Sequence, residues 1–219
     1  MAVDFKRTER RFYLPKTTPE IIDVPEMLFL MIDGQGDPNT SAQYAAALEI
    51  LYGLSYSIKM SKKGGSQPSG YFDYVVPPLE GLWSLDDGGV FTGAGAAIQD
   101  KGKLVWTSMI RQPEFVTPEV FEAAKLTLAR KKPGIDLSVV RLERFTEGLC
   151  AQVMHLGPYD DEPRTIAALS EFIHASGYTE DMAGLRRHHE IYLTDPRKTA
   201  PEKQKTVIRH PIRPSRPNQ

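Results

Sequence analysis

The sequence predicts an α+β fold in which duplicated strand–helix–strand–strand modules form a mostly antiparallel sheet, with helices on one face and a ligand cleft on the other. Three observations point there. Apolar runs of strand character and runs with helical spacing follow one another in the same order twice. Offsetting the chain by 121 residues places Gly36 on Gly157, and Ala46, Ala47 and Leu48 on Ala167, Ala168 and Leu169. At both places an apolar strand precedes the glycine and an amphipathic helix follows it. Finally, Tyr71, Phe72, Tyr74, Trp83, Trp106, Tyr159 and Tyr192 cluster in or beside predicted strands. Such rings pack more often in cores, but a sheet with one helix-covered face must present some of them on the other. The expected organisation is an N-terminal arm (1–23), one domain (24–213) of two pseudo-repeats (about 24–135 and 136–213), and a tail (214–219).

The arm carries Lys6, Arg7, Arg10 and Arg11 and is expected on the surface. The run PEMLFLMIDGQGDPN reads as a strand ending in a Gly/Asp/Pro turn. Asn39, Thr40 and Ser41 then offer N-cap oxygens, and Ala45, Leu48, Leu51 and Tyr52 recur at helical spacing, so a helix is expected to about Ser61. After the loop KKGGSQPSG, the segment GYFDYVVPPLEGLWSL reads as a strand broken by Pro77 and Pro78 and resumed around Trp83. Residues 86–95 form a Gly-rich turn without the Lys-Ser/Thr of a phosphate loop. KLVWTSMIR is a strand, and Thr117 caps a helix with Pro118 at its first position. Residues 139–145 and 149–156 read as a hairpin turning at Glu147 and Gly148. A helix over 162–175 follows the Gly157, Pro158, Tyr159 turn. Two strands, 189–194 and 205–212, then flank a polar insert.

Composition narrows the function. With 41% hydrophobic and 25% charged residues, the 219-residue chain is ordinary for a soluble globular protein. A net charge of −1 supplies no bulk attraction to nucleic acid or anionic lipid. The single cysteine, Cys150, lies in an apolar run and reads as a buried thiol in a reducing compartment. The N-terminus has no apolar signal core and no run is long enough to span a bilayer, so a cytoplasmic location is expected. No serine elbow, HExxH or phosphate loop occurs, and neighbouring His188 and His189 point to opposite faces of a strand. No metal and no cofactor are therefore expected.

Alternation in HHEIYLT places His188, Glu190, Tyr192 and Thr194 on one face and Ile191 and Leu193 on the other, where they can pack onto helices. A glutamate between apolar neighbours faces solvent, pairs with a cation or serves a site, because an unpaired buried carboxylate is costly. Glu190 is the best candidate general base if aromatic rings surround it. Glu80, in PPLEGLW, is a second candidate. Glu162, with Asp160 and Asp161, lies at a helix start, where a negative charge is favoured without any further role.

The segments MIDGQGDPN, DYVVPPLEGLW, VWTSMIRQPEFVTPE, HLGPYDDEPRTIAAL and HHEIYLTDPRKTAPEKQKTVIRHPI resemble the GyrI-like small-molecule-binding family over residues 25–212. The resemblance implies the duplicated fold, with a ligand cleft along its pseudo-twofold axis. The chain is similar to stand-alone members that act as cofactor-independent hydrolases, opening the cyclopropane ring of DNA-alkylating natural products with water. It implies that Glu162 and Glu190 carry that chemistry, with Trp106, Trp83, Tyr71, Tyr159, Tyr192 and Glu80 binding the ligand. One departure is Ser84, where a second Trp is expected after Trp83. The alternative is a non-catalytic protein that sequesters or senses aromatic or cationic drugs. The expected partner is a hydrophobic aromatic small molecule, without direct nucleic-acid or membrane contact. The family name also points to DNA gyrase, and no feature of this sequence supports that contact.

Overall fold

Two long strands set the frame of the molecule, whose computed structural model describes residues 2–64, 67–86 and 100–215. After the short helices α1 (Phe5–Thr8) and α2 (Arg10–Tyr13), strand β1 (Glu20–Gln35) runs antiparallel to β4 (Arg141–Leu156), from Glu20↔Gln152 to Met31↔Arg141. Each has 16 residues, far beyond the usual ~5–6, and so each serves two neighbours. The C-terminal half of β1 pairs with β3 (Leu104–Gln112), and the C-terminal end of β4 pairs with β7 (Lys205–Pro214). Strand β2 (Leu79–Leu85) joins β3 to β6 (His188–Tyr192), and β6 pairs with β7. The order β4-β1-β3-β2-β6-β7, with β4 also on β7, closes a ring in which all these pairings are antiparallel. The short β5 (Tyr178–Glu180) adds to β7.

Setting aside the short β5 that follows α5, the element order is strand–helix–strand–strand twice: β1, α3 (Ala42–Lys59), β2, β3, then β4, α5 (Glu162–Ala175), β6, β7, with α4 (Pro118–Lys131) between them. Gly36 and Gly157 both stand at the strand-to-helix turn with positive φ (99° and 131°), a backbone state that suits glycine. The predicted caps form: Ser41 Oγ accepts from the Tyr44 N–H at 3.2 Å and Thr117 Oγ1 from the Val120 N–H at 3.4 Å.

Four local expectations are corrected. The hairpin at Glu147 and Gly148 does not form. Gly148, at φ 71°, bends β4 while still facing Val24, because β1 offers a continuous partner on both sides of the bend. Of residues 71–76, only Tyr74 makes a bridge, to Val3; Pro77 and Pro78 supply no ladder donors. The strand after the polar insert continues past Ile212 to Pro214. The arm is not a surface segment: Phe5, Phe12 and Tyr13 are buried, as the large apolar area of aromatic rings favours. Its carbonyls are also claimed. Arg209 Nη2–H donates to Phe12 O at 2.7 Å, Gln152 Nε2–H to Arg11 O at 2.7 Å, and the Met154 N–H to Lys16 O at 2.8 Å. The Gly-rich turn expected at 86–95 lies almost wholly outside the described residues.

The ring thus has an inner face sealed by the arm and an outer face carrying α3 and α5. Inside, Phe12, Tyr13, Met27, Phe29, Phe145 and Ile191 leave a cavity of only about 10 Å³. Outside, Ile166, Leu169 and Ile173 of α5 pack on Ala151, Val153, Ile208 and Ile212. Ile191, expected against the helices, faces inward instead.

Candidate active site

The alternation of β6 presents His188, Glu190 and Tyr192 together, as the sequence predicts, but on the outer, helix-bearing face between α3 and α5, and not on the face opposite the helices where the cleft was expected. Register places Gly81 of β2 beside Glu190 and Trp83 beside His188. A Cβ on Gly81 would lie 2.6 Å from Trp83 Nε1 and 3.0 Å from Tyr192 Oη, so glycine here makes the room in which indole and phenol meet. Gly34 does the same for Trp106, whose ring would be 2.2 Å from a Cβ. Trp83 Nε1–H donates to Tyr192 Oη (2.9 Å), and the Tyr192 hydroxyl donates to Glu190 Oε2 (2.7 Å). His188 Nε2–H donates to Glu190 Oε1 at 2.9 Å, and His188 Nδ1 lies 2.8 Å from His210 Nε2.

Glu162 reaches the same place from the first turn of α5. His155 pins that turn, its Nδ1 2.8 Å from Thr165 Oγ1 and its Nε2 3.1 Å from Pro158 O. Glu162 is buried beside Glu190, with one oxygen lacking any partner among the described residues. It is therefore more than a helix-start charge. Burial pushes its carboxyl well above the usual range, and the charge of Glu190 adds to this against a smaller effect of Thr206. Burial would raise Glu190 too, but the hydrogen bonds from His188 and Tyr192, with Glu162 beside it, outweigh it and hold it low. Two carboxyl groups in one site cannot both ionise readily. The pair therefore holds a protonated Glu162 beside an ionised Glu190, an acid next to a base.

Rings enclose this pair. Tyr44 of α3 lies 6.0 Å from Trp83 and meets Trp106 edge-on at 5.0 Å, while Tyr159 meets Tyr192 edge-on at 5.8 Å. Of the residues singled out in the sequence, Glu190, Glu162, Trp83, Tyr159 and Tyr192 come together, and Trp106 joins them through Tyr44 as a fully buried ring. Two do not. Tyr71 donates to Lys59 O (2.7 Å) and packs on Phe115 (5.1 Å). Glu80 points to the opposite face, because alternation on β2 sends it away from Trp83. Tyr44, Thr206 and His210 were missed. His210 shares a face with Ile208 and Ile212, but its place beside His188 depends on the β6–β7 register, which no local pattern reveals.

Behind the sheet lies a second acid–histidine cluster. His189 Nδ1 is 3.0 Å from both oxygens of Glu147, its Nε2 is 3.0 Å from Glu80 Oε2, and Arg209 Nη1–H donates to Glu147 Oε2 at 2.8 Å. Burial opposes every one of these charges. Even so, His189 and then Arg209 hold Glu147 at about 2, and Glu147 and Glu80 raise His189 to about 9. Two anions and two cations balance there. Among the described residues no three His, Cys, Asp or Glu side chains gather as a metal site, and no helix is long and apolar enough to cross a membrane.

A family model for the GyrI-like small molecule binding domain matches residues 17–213. A Listeria innocua protein described as a hydrolase has a crystal structure at TM-score 0.86 and 47% identity, covering 96% of this chain and 100% of that one. An uncharacterised conserved protein from Listeria innocua gives TM-score 0.88 at 48% identity, over 96% of this chain and 100% of that one. The EcmrR C-terminal domain, at 10% identity and TM-score 0.50, covers 90% of this chain and 98% of that one and shares the fold alone. No curated protein matches the chain.

Proposed function

The chain belongs to the GyrI-like small-molecule-binding family, and we propose that it is a cofactor-independent hydrolase opening the cyclopropane ring of DNA-alkylating natural products. The observation that carries this reading is the buried Glu162–Glu190 pair, whose surroundings raise the proton affinity of one carboxyl and lower that of the other, enclosed by tyrosine and tryptophan rings. The 47% identity to a protein described as a hydrolase adds weight.

The chemistry needs no bound cofactor. Glu162 gives its proton to a carbonyl oxygen conjugated with the strained ring. The oxygen of a water molecule attacks a cyclopropane carbon, the carbon–carbon bond breaks, and its electron pair moves into the conjugated system. Glu190 takes the proton released by that water. The net result is ring opening by water, with OH on the attacked carbon and H on the former carbonyl oxygen, leaving Glu162 ionised and Glu190 protonated. Tyr44, Trp83 and Tyr159 give a flat polycyclic substrate faces and edges to pack against.

Another observation favours the second reading, a protein that binds aromatic cations without turnover. Both oxygens of Glu190 already accept hydrogen bonds, from His188 and from Tyr192, as suits a fixed negative charge. Purified protein and Glu190→Gln, mixed with a cyclopropane-bearing duocarmycin-type compound and followed by chromatography, separate the two. Multiple turnovers by the wild type, falling roughly a hundredfold or more in the variant, support the hydrolase and its base. Tight binding without product in both proteins sinks the hydrolase and leaves the binding protein.

A further inference from the structure

We propose that the buried pair His188–His210 decides which of the two carboxyl groups carries their shared proton, keeping Glu190 as the ionised member. The kinetic consequence rests on the hydrolase reading; the placement of the proton does not.

The geometry permits few arrangements. Both imidazoles are fully buried, their rings 5.1 Å apart and their facing nitrogens at 2.8 Å. The ionised Glu190 only accepts, so His188 Nε2 carries a hydrogen. The bond between the imidazoles holds one further hydrogen. Were it on His188 Nδ1, His210 would need its own hydrogen on Nδ1, which is buried with no partner among the described residues. An unmet buried donor is costly. With the hydrogen on His210 Nε2, only a bare nitrogen is left unmet, and both hydrogens of the chain point toward Glu190. Burial holds the His210 ring well below the usual imidazole range, in keeping with a neutral ring.

The chain therefore reads His210 Nε2–H to His188 Nδ1, and His188 Nε2–H to Glu190 Oε1, each dipole polarising the next. Glu162 has no such support: one of its oxygens is buried without a hydrogen-bond partner among the described residues. Among the described residues, ionisable groups facing the chain include Tyr192 on β6, Tyr44 on α3, Tyr159 before α5, and Glu147, His189 and Arg209 behind the sheet. His188 and His210 are thus positioning residues, acting through Glu190 without contact to a substrate.

The test is nuclear magnetic resonance on protein carrying ¹⁵N-labelled histidine and ¹³C-labelled glutamate carboxyls. Wild type should show His210 as the Nε2–H tautomer, with Glu190 ionised beside a protonated Glu162. In His210→Leu the Glu190 titration midpoint should rise by about one pH unit or more, a tenfold shift in its proton affinity. His188→Gln, which restores a donor to Oε1, should shift it less. Should His210→Leu fail to fold, the wild-type tautomer and His188→Gln still decide. A His210 Nδ1–H tautomer, or a Glu190 midpoint unmoved in both folded variants, overturns the proposal. Under the hydrolase reading the acid limb of the turnover profile moves up with that midpoint. Absence of turnover in wild type removes the hydrolase and leaves the resonance result to stand alone.

Discussion

Strand β6 carries two acid–histidine clusters back to back, on consecutive residues and opposite faces. Inward, His189 lies between Glu80 and Glu147, with Arg209 behind, all at 3% side-chain exposure or less. Outward, His188 supports Glu190, which is 13% exposed and shares a proton with Glu162. The residue types are nearly the same; the charge balance is not. Inside, two anions meet two cations beneath a sealed arm, so the charges stabilise one another. Outside, two carboxyl groups crowd together with one of them forced to keep its proton, an arrangement that costs stability and creates an acid and a base. Perturbed groups mark function best where the compensation is incomplete and solvent is within reach.

The most severe way to break this contrast is Glu147→Gln, which leaves Arg209 and a protonated His189 without their central anion. Breaking a buried ion pair costs about 3–5 kcal/mol. A fall of that size in the free energy of urea unfolding is expected, and a fall below 1 kcal/mol would mean that the inner cluster is not the structural one. The outer counterpart, Glu190→Gln, should cost turnover roughly a hundredfold while changing stability by no more than about 1 kcal/mol.

pH separates the two faces further. Glu147 is held down, so its stabilisation is present above the ordinary value of 4.5 and is lost as pH falls from there toward about 2. His189 is raised, so its stabilisation is full below 6.5 and is lost as pH rises toward about 9. Each limb is on the order of 3 kcal/mol. Unfolding free energies at pH 3, 5.5 and 9 should therefore peak at the middle value, and a flat profile would contradict the inner network. Glu162 is raised as well, so what it contributes is present at low pH and lost as pH rises. Glu162→Gln, neutral at every pH, should gain about 1 kcal/mol near pH 8 while losing activity, as strained functional sites do. Equal or lower stability in a folded Glu162→Gln would show that the pair carries no strain. Gly81→Ala tests the packing around the pair, because its Cβ must displace Trp83 or Tyr192. Overpacking of this kind costs about 1–3 kcal/mol, and loss of the Trp83 indole N–H signal shift on ligand binding would report the lost contact.

The order of elements, the repeat through Gly36 and Gly157, the caps at Ser41 and Thr117, and the shared face of His188, Glu190 and Tyr192 were legible in the sequence by itself. These depend on backbone periods, on cap oxygens and on glycine's φ, all set within a few residues. Closure of the ring, burial of Phe12 and Tyr13 beneath it, the unbroken run of β4 through Gly148, and the inward turn of Glu80 were decided only by the tertiary structure. So was the meeting of Glu162 with Glu190. A helix start and a strand distant in sequence approach each other because α5 packs on β4 and β7 while β6 pairs with β7, and such contacts are selected by the summed burial and pairing of the whole sheet. Local pattern says which way a side chain points; the closed sheet determines what it finds there.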